Sequence, residues 1–462
     1  MSHIRIEKDS LGELEVPDSA LYGAQTQRAI NNFPVSGQAM PESFIKALLL
    51  VKSAAARANS KLGGLTPEIA TAITDAVAQL LDDGSLMQHF PVDVFQTGSG
   101  TSTNINANEV LARLASIISG VSVHPNDHVN FGQSSNDVIP TTIHVSAALE
   151  LSNRLIPALT HLSKTIREKA KQTRRYVKTG RTHLMDAMPV TLGQSLEAWA
   201  TQIEHNIQNL NQTQNSLQSL AQGGTAVGTG VNSHPGFAKQ FNQELSNLTG
   251  LHFIPADNFF ALIASQDVAV ALSGQLKTTA VSIMKIANDL RWMNSGPLSG
   301  LGEIELEALQ PGSSIMPGKV NPVIPEAAAM ACAQVMGNDT TVTIAGQSGN
   351  FELNVMLPLI AHNTLSSIQL LTSISYLLAD KAISTFKVNE ATLQEGLTRN
   401  PILVTALNPL IGYQKAAEIA KQAYREGRPI IEVAAEKTDL SMDVLQNLLD
   451  PLKLTSGDTE SP

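Results

Sequence analysis

Hydrophobic residues at helix-like spacing dominate the middle of the chain. Within residues 258–295 apolar positions recur every four to six residues, at Leu262, Val268, Leu272, Leu276, Val281, Ile286 and Leu290. This spacing is typical of one buried face of an α-helix. Similar long stretches occupy residues 191–222, 323–347, 359–378 and, with an expected kink at Pro157, 146–174. Helices of this length predict an all-α protein with a long central helical bundle.

The helix breakers divide the chain into three segments. Residues 1–132 combine short helical stretches at 43–62 and 67–83 with Gly/Ser/Asn-rich loops, and residues 133–388 hold the long helices. Residues 389–462 predict two or three short helices separated by prolines and glycines, followed by a disordered tail at 455–462. We therefore predict an N-terminal mixed helical and loop domain (1–132), a central bundle domain (133–388) and a small C-terminal helical domain (389–462).

Composition and charge narrow the class of protein. Hydrophobic residues make up 43% of the chain and the formal net charge is −10, without any run of Lys or Arg. These values argue against nucleic acid or an anionic membrane as a partner. A single cysteine, Cys332, cannot form an internal disulfide, and residues 1–17 lack the apolar core of a secretory signal. No apolar stretch is long enough for a transmembrane helix. We expect a soluble, cytoplasmic protein.

The most informative segment, residues 312–322, reads GSSIMPGKVNP. Its glycines and prolines disfavour helix and strand, so a shaped loop is expected. That loop presents two hydroxyls, an ammonium and a carboxamide, which belong to Ser313, Ser314, Lys319 and Asn321. Such groups can hold a carboxylate and receive a proton from carbon. The alternative is an ordinary polar surface loop.

A second polar segment, residues 96–104, reads QTGSGTSTN and contains Ser99 and Thr101. Such a stretch is commonly a turn that leads into a helix cap. Its functional interpretation is an anion cradle, in which hydroxyls and backbone N–H groups at a helix N-terminus bind a carboxylate. It is not a phosphate-binding P-loop, because no Gly-Lys-Ser/Thr follows.

Two further polar turns precede a long helical stretch. Ser134, Ser135 and Asn136 lie in GQSSND, where helix capping and carboxylate binding are both reasonable roles. The earlier turn HPND contains His124, Asn126 and Asp127, and most such residues only hold a loop together.

His183 lies beside Thr182 in a polar turn, GRTHL, ahead of a helix. A lone histidine is more often structural, but its proton exchange near neutral pH suits general acid–base chemistry. Glu326 follows Pro325 at the first turn of a predicted helix, where a helix-capping role is the ordinary interpretation. A carboxylate can also orient an imidazole and raise its basicity.

Taken together, these segments resemble the fumarase/aspartase superfamily, and class II fumarases most of all. The resemblance runs from EKDSLGELEVP near the start to LVTALNPLIGYQKAAEIAK near the end. The motifs follow the family's order: QTGSGTSTNINANEV, HPNDHVN, QSSND, GRTHL, GSSIMPGKVNPVIPE, QVMGND and GNFELNV.

The resemblance implies a fold and an assembly. Members of this family look like homotetramers, in which five long helices from each subunit form a twenty-helix core. Each active site is built from three subunits and takes a small dicarboxylate, fumarate or L-malate. The resemblance also implies a five-helix bundle within residues 133–388. No metal-ligand spacing or dinucleotide fingerprint is found in the sequence, so no metal and no cofactor is expected.

The resemblance to this family also implies roles for individual residues. By similarity, Ser313 is the general base that removes a proton from the carbon beside a carboxylate, and Lys319 and Asn321 hold that carboxylate as its charge grows. His183, paired with Glu326 and beside Thr182, handles the water or hydroxyl. The remaining substrate-binding positions implied are Ser99, Thr101, Ser134, Ser135, Asn136, Thr182 and Ser314. A second anion site is implied at His124, Asn126 and Asp127.

Two alternatives stay open at this point. An aspartate ammonia-lyase would share the scaffold, and the sequence NPVIPE is closer to that of aspartases. Aspartases, however, carry glutamine at the position of His183. QSSND also favours fumarase over the QSTND of aspartases. The second alternative is an inactive structural member of the family, although Ser313 and Lys319 are retained.

Two departures from the family pattern concern single positions. Leu298 stands where many fumarases have arginine, and Val121 replaces a basic residue of the second anion site. The replacement at Val121 makes a structural turn at His124 at least as reasonable as dicarboxylate binding.

Overall fold

The computed structural model describes residues 4–456, which are predominantly α-helical, and the all-α prediction is confirmed. The predicted tail 455–462 lies, from residue 457 onwards, outside the described residues. The chain begins with an antiparallel hairpin in which Ile4 pairs with Pro17. The first elements are β1 (Ile4–Asp9), β2 (Gly12–Pro17), α1 (Ala24–Asn32), α2 (Glu42–Lys61), α3 (Pro67–Asp82) and α4 (Thr101–Ser119).

The middle of the chain contains the longest helices. They confirm the stretches expected from hydrophobic spacing, and the 27 residues of α10 extend about 40 Å. The elements are α5 (Ser135–Glu150), α6 (Ile156–Thr173), β3 (Val177–Thr182), β4 (Met185–Thr191), α7 (Leu192–Leu217), β5 (Ser219–Leu220), α8 (Phe237–Thr249), β6 (Ile254–Pro255), α9 (Phe259–Ala264) and α10 (Asp267–Met293).

The last part alternates long and short helices. Its elements are β7 (Ile304–Glu305), α11 (Val323–Gly346), β8 (Gly349–Asn350), β9 (Leu353–Asn354), α12 (Leu357–Leu378), β10 (Lys387–Val388), α13 (Glu390–Thr398), α14 (Asn408–Ile411), α15 (Tyr413–Glu426), α16 (Ile430–Lys437) and α17 (Met442–Leu448). The C-terminal segment therefore holds more helices than the two or three expected. Gly412 and Gly427 end α14 and α15, whereas α16 ends at the extended residue Thr438.

The helix breaks have local causes. The single stretch expected over 258–295 is divided, because Ser265 is extended and its hydroxyl donates to Asp267 Oδ1 at 2.6 Å. A π-helical turn, Leu151–Leu155, joins α5 to α6 immediately before Pro157, whose missing N–H interrupts the hydrogen-bond ladder.

The chain forms two compact units, each made of separate stretches. Unit 1 comprises residues 4–157, 206–280 and 331–372, and unit 2 comprises residues 158–205, 281–330 and 373–456. The division into three consecutive domains stays a prediction.

Each unit has an apolar core. In unit 1, helix α2 packs on α3, α5 and α8 and buries most of its length, including Leu48 and Val51. In the C-terminal part of unit 2, the core is formed by Leu403, Leu407, Ile419, Val433 and Leu445. None of the helices within residues 4–456 has the length and hydrophobicity needed to cross a membrane.

Candidate active site

The glycine- and proline-rich segment 312–322 forms a closed loop between β7 and α11 in unit 2. Gly312 N–H donates to the Lys319 carbonyl at 2.9 Å, and Asn321 Nδ2 donates back to the Gly312 carbonyl at 2.7 Å. A Cβ on Gly312 would overlap the Lys319 carbonyl oxygen, so a larger residue would open the loop at this point. The expectation of a shaped loop is confirmed.

Within this loop, the Ser313 hydroxyl oxygen accepts two backbone hydrogen bonds. Its donors are Met316 N–H at 3.0 Å and Ile315 N–H at 3.3 Å. Hydrogen bonds to the charged form of a group stabilise that form, so this pair of donors favours negative charge on Ser313 Oγ. Ile315, at 84% exposure, lies almost entirely in solvent, and Ser314 is also exposed.

Three of the predicted groups line one cavity of about 830 Å³ in unit 2: Lys319, Asn321 and Glu326. Lys319 Nζ donates to Asn321 Oδ1 at 2.9 Å. Glu326 lies in the first turn of α11, as the sequence predicted. Arg291 on α10 also lines this cavity and was not singled out from the sequence.

His183 occupies the tip of the β3–β4 hairpin. The polar turn predicted from the sequence is confirmed, and strand β4 lies between this turn and the next helix, α7. His183 and Leu184 have φ values of 54° and 60°, a left-handed turn that non-glycine residues rarely adopt. Strain of this kind persists where the surrounding structure enforces it, often at functional sites.

The hairpin is anchored by a buried carboxylate. Glu303 is 4% exposed and pairs with Lys178 at 2.9 Å and with Arg181 at 2.7 Å. Thr182 and His183 themselves are exposed. Within the described protomer, His183 and Glu326 are not joined by a hydrogen bond or ion pair.

A second cavity, of about 420 Å³, lies within unit 1 and is lined mainly by amides and hydroxyls. Thr101, Ser134, Ser135 and Asn126 are among the lining residues, together with Asn104, Asn108, Asn130 and Gln133. Thr101 begins α4 after Gly100, which has the left-handed φ of 71°. Ser99 Oγ lies 2.7 Å from Thr101 Oγ1. The structure thus brings the first two hydroxyl-rich turns together at the starts of two helices.

Helix α5 begins with a capping box. The Ser134 hydroxyl oxygen accepts from Asn136 N–H at 3.2 Å, and Asp137 Oδ1 accepts from Ser134 N–H at 3.0 Å. The Asn136 amide donates to the Ala226 carbonyl at 2.8 Å. Ser134 therefore does serve as a helix cap, which leaves its hydroxyl proton available as a donor.

Asp137 is completely buried and holds a loop against the start of α5. Its Oδ2 accepts from Gly223 N–H at 3.0 Å and from Thr225 N–H at 2.9 Å. Burial raises the pKa of Asp137 to about 6, against the lowering effect of these backbone donors.

The HPND turn is held together by its own histidine. His124 Nδ1 accepts from Asn126 N–H at 3.3 Å and from Asp127 N–H at 3.2 Å, and thereby caps a π-helical turn, Pro125–Val129. His124, Asn126 and Asp127 are all exposed.

Sequence reasoning did not single out Asn104 and Asn108, two amide residues that line the unit 1 cavity. Thr101, Asn104 and Asn108 are spaced by three and four positions, which places them on one face of α4. Asn104 and Asn108 are buried in this helix, and a polar stripe of this kind in the sequence could have indicated a polar site. Lys52 was another, since it interrupts an apolar stretch of α2 and is fully buried. Among residues 4–456, no group of three or more His, Cys, Asp and Glu side chains is arranged to hold a metal ion.

Comparison with known families gives two matches. Residues 12–337 match the sequence model of a family described as Lyase, and residues 403–456 match one described as Fumarase C C-terminus. Together the two matches span most of the chain.

Individual relatives align over nearly the whole length. The chain is 69% identical over 457 residues to fumarate hydratase class II 2 of Pseudomonas aeruginosa, covering 99% of this chain and 100% of the relative. It is 58% identical over 453 residues to fumarate hydratase class II of Xylella fastidiosa, covering 98% of this chain and 96% of the relative.

Comparison with solved structures gives matches to proteins of the same kind. The crystal structure of class II fumarase from Schistosoma mansoni superposes with a TM-score of 0.95 at 38% identity and covers 99% of this chain and 100% of that one. A cobalt-bound protein from Brucella melitensis, described as fumarate lyase:delta crystallin, superposes with a TM-score of 0.93 at 43% identity, covering 98% of this chain and 100% of that one.

Proposed function

The chain belongs to the class II fumarate hydratase family of hydro-lyases, and from that premise we propose that it interconverts fumarate and L-malate by reversible, stereospecific addition of water. In the malate-to-fumarate direction, a proton leaves the carbon beside one carboxylate, a double bond forms, and the hydroxyl on the neighbouring carbon departs as water. The enzyme must accept a proton from a weakly acidic C–H and protonate a poor leaving group.

The environment of Ser313 is the observation that carries this proposal. Ser313 Oγ acts as the general base, and its alkoxide is stabilised by the N–H groups of Ile315 and Met316. A serine hydroxyl is a weak base unless its anion is favoured in this way. Preorganised donors of this kind reduce the energy of developing charge without reorganisation.

The dianionic carboxylate that forms after proton removal needs its own donors. Lys319 and Asn321 fill this role, with Ser314 beside them in the loop. The Lys319 ammonium donates to Asn321 Oδ1, and one N–H of the Asn321 amide donates to the Gly312 carbonyl. A carboxylate beside this pair would receive one ionic hydrogen bond from Lys319 and one neutral hydrogen bond from the second N–H of Asn321 Nδ2. Closure of residues 312–322 over the substrate would exclude water and complete the site.

The unit 1 cavity binds the substrate carboxylates. Thr101, Ser134 and Ser135 line it with hydroxyls, which are neutral donors suited to an anion, and the proposed binding residues Ser99 and Asn136 adjoin these positions in sequence. His183, assisted by Thr182 and oriented by Glu326, delivers the proton to the departing hydroxyl and removes one from water in the reverse direction.

We further propose a homotetramer in which three subunits contribute to each site. The exposure of His183 and of the neighbouring apolar Leu184 and Met185 supports this assembly, because these groups would gain contacts from a second protomer. His124, Asn126 and Asp127 act as a structural turn in this scheme. The cytoplasm is the proposed location.

The experiment is a substrate comparison with the purified protein. L-malate and L-aspartate are supplied separately, and the ultraviolet absorbance of the fumarate double bond is followed. A signal with L-malate alone is expected. A signal with L-aspartate alone would instead establish an ammonia-lyase, and a signal with neither would indicate an inactive family member.

A further inference from the structure

Lys52 is a fully buried lysine at the centre of unit 1. Its ammonium donates to Asn130 Oδ1 at 2.8 Å and to Gln133 Oε1 at 3.2 Å. Burial lowers the pKa of Lys52 to about 7, and the charge of Asp137 opposes this effect only in part. Burying an ammonium is unfavourable, so a lysine here demands a reason beyond filling space.

Lys52 fixes the orientation of the Asn130 amide. Lys52 Nζ donates to Asn130 Oδ1, and in its protonated form it has no acceptor for an amide N–H, so the oxygen of Asn130 faces it. From the other side, Asn130 Nδ2 donates to the Gln133 carbonyl at 3.1 Å. A rotated amide would place nitrogen against the ammonium and oxygen against the carbonyl. Both contacts would be repulsive, so one orientation remains.

The orientation of Asn130 in turn fixes Asn104. Asn104 Nδ2 donates to Asn130 Oδ1 at 3.2 Å and to Ser135 Oγ at 3.0 Å. Rotation of the Asn104 amide would set two carbonyl oxygens against each other. Asn104 Oδ1 is buried and has no hydrogen-bond partner within residues 4–456, so the amide satisfies its two donors at the expense of its acceptor.

The last member of this series is Ser135, which lines the unit 1 cavity. Its oxygen already accepts from Asn104, so its only proton is left to be donated elsewhere. We propose that Lys52 is a positioning residue that, through Asn130 and Asn104, fixes the Ser135 hydroxyl as a donor to the substrate carboxylate. This inference rests on the proposed fumarate hydratase activity.

We call the hydrogen-bonded series from Lys52 through Asn130 and Asn104 to Ser135 the relay, and it has a specific consequence for substrate binding. An anionic carboxylate only accepts hydrogen bonds. A Ser135 hydroxyl that could rotate toward a protein acceptor would therefore spend part of its time without donating to the substrate. With Lys52 in place, the Asn130 oxygen faces the ammonium, Asn104 donates to Ser135, and the Ser135 proton is left for the substrate. The relay should therefore affect KM more than kcat.

The test is a double-mutant cycle between Lys52→Met and Ser135→Ala, with fumarate as substrate. Methionine approximates the length of lysine without its donors. Lys52→Met is expected to raise KM about tenfold to a hundredfold, the range for a hydrogen bond to a charged group, and to change kcat by no more than about threefold. In the Ser135→Ala background, the same substitution should change KM by less than about twofold.

Lys46→Met is the matched control, because Lys46 lies on the same helix with a side chain 46% exposed and, among residues 4–456, forms an ion pair with Glu42 alone. It should leave both constants unchanged. If Lys52→Met does not fold, Asn104→Leu serves instead, since it leaves Lys52 and Asn130 paired and should show the same dependence on Ser135.

Additive effects of Lys52→Met (or Asn104→Leu) and Ser135→Ala would overturn the relay, because a purely structural lysine acts equally in both backgrounds. Wild-type protein that neither binds nor converts fumarate would overturn the proposed function itself, and the relay with it. An active wild-type protein with additive variants would overturn the relay alone.

Discussion

The unit 1 cavity and the 312–322 loop of unit 2 hold their functional groups in opposite ways. In the cavity, each hydroxyl is fixed by a second protein group: Ser134 by the capping box of α5 and Ser135 by Asn104. Behind them lie the fully buried Lys52 and Asp137. The loop instead bonds mainly to itself, through Gly312, Lys319 and Asn321, and its apex residue Ile315 lies in solvent.

Under the proposed mechanism, this contrast separates the groups that bind the substrate from the group that carries out the chemistry. Groups that recognise a carboxylate in every catalytic state benefit from a rigid, prearranged site. A group that removes a proton and must then be shielded from water benefits from a segment that can close. The cavity should therefore tolerate little change without loss of stability, and the loop little change without loss of turnover.

Ser313→Ala should give the largest effect, and only on turnover. The substitution removes the proposed base, so kcat for L-malate should fall by about 10²–10⁴-fold. The side chain bonds only within an exposed loop, so the free energy of unfolding should change by less than about 0.5 kcal/mol. Steady-state kinetics and urea unfolding of the same preparation measure both. Retained activity would remove Ser313 from the mechanism.

Asp137→Asn should do the reverse and destabilise unit 1. The variant leaves the buried Lys52 without its counter-charge and replaces one of the two oxygens that accept from three backbone N–H groups. A loss of about 3 kcal/mol in unfolding free energy is expected. Asp127→Asn is the control, because the Asp127 side chain is 79% exposed and its loss should cost less than about 0.5 kcal/mol. Equal effects of the two substitutions would contradict the rigid character of the cavity.

Gly312→Ala tests the closure of the loop. The added Cβ would displace the Lys319 carbonyl and misplace Ser313, so kcat should fall by about a hundredfold with little change in the unfolding midpoint. Gly318→Ala provides a comparison: its φ of +83° makes alanine unfavourable, but no neighbouring atom obstructs the Cβ. A smaller fall in kcat is expected there. If Gly318→Ala proved the more damaging, backbone freedom rather than loop closure would explain the activity.

The pH dependence of stability gives the smallest effect. The pKa of Lys52 is about 7 when folded and near its ordinary value of 10.5 when unfolded. Between these values the unfolded chain binds more protons, so this residue makes stability rise with pH, by at most about 1.4 kcal/mol per pH unit. Below pH 7 both states are protonated and the contribution is constant.

Comparing Lys52→Met with the wild type isolates this contribution. Urea unfolding from neutral pH to about pH 9 should show a steeper rise for the wild type than for the variant. Parallel curves would mean that Lys52 keeps an ordinary pKa in the folded protein. In that case water or another charged group would have to stabilise the Lys52 ammonium in the folded protein.

Local sequence determined the bounds of several helices and the form of the 312–322 loop. The bounds predicted for α2 and α3 agree with the structure to within about one residue, because helix periodicity and a Thr66 cap before Pro67 are local signals. The position of Glu326 in a first helical turn and the closed form of the 312–322 loop likewise follow from nearby proline and glycine.

Tertiary structure decided what no local pattern encodes. His183 lies at a hairpin tip because β3 pairs with β4 and Glu303 anchors the base of that hairpin, a contact more than a hundred residues away in sequence. The series from Lys52 to Ser135 depends on α2, α4 and the start of α5 meeting in one core. Periodicity identifies which face of a helix is buried, but only packing determines which polar groups meet there, because hydrogen bonds act over about 3 Å and not along the sequence.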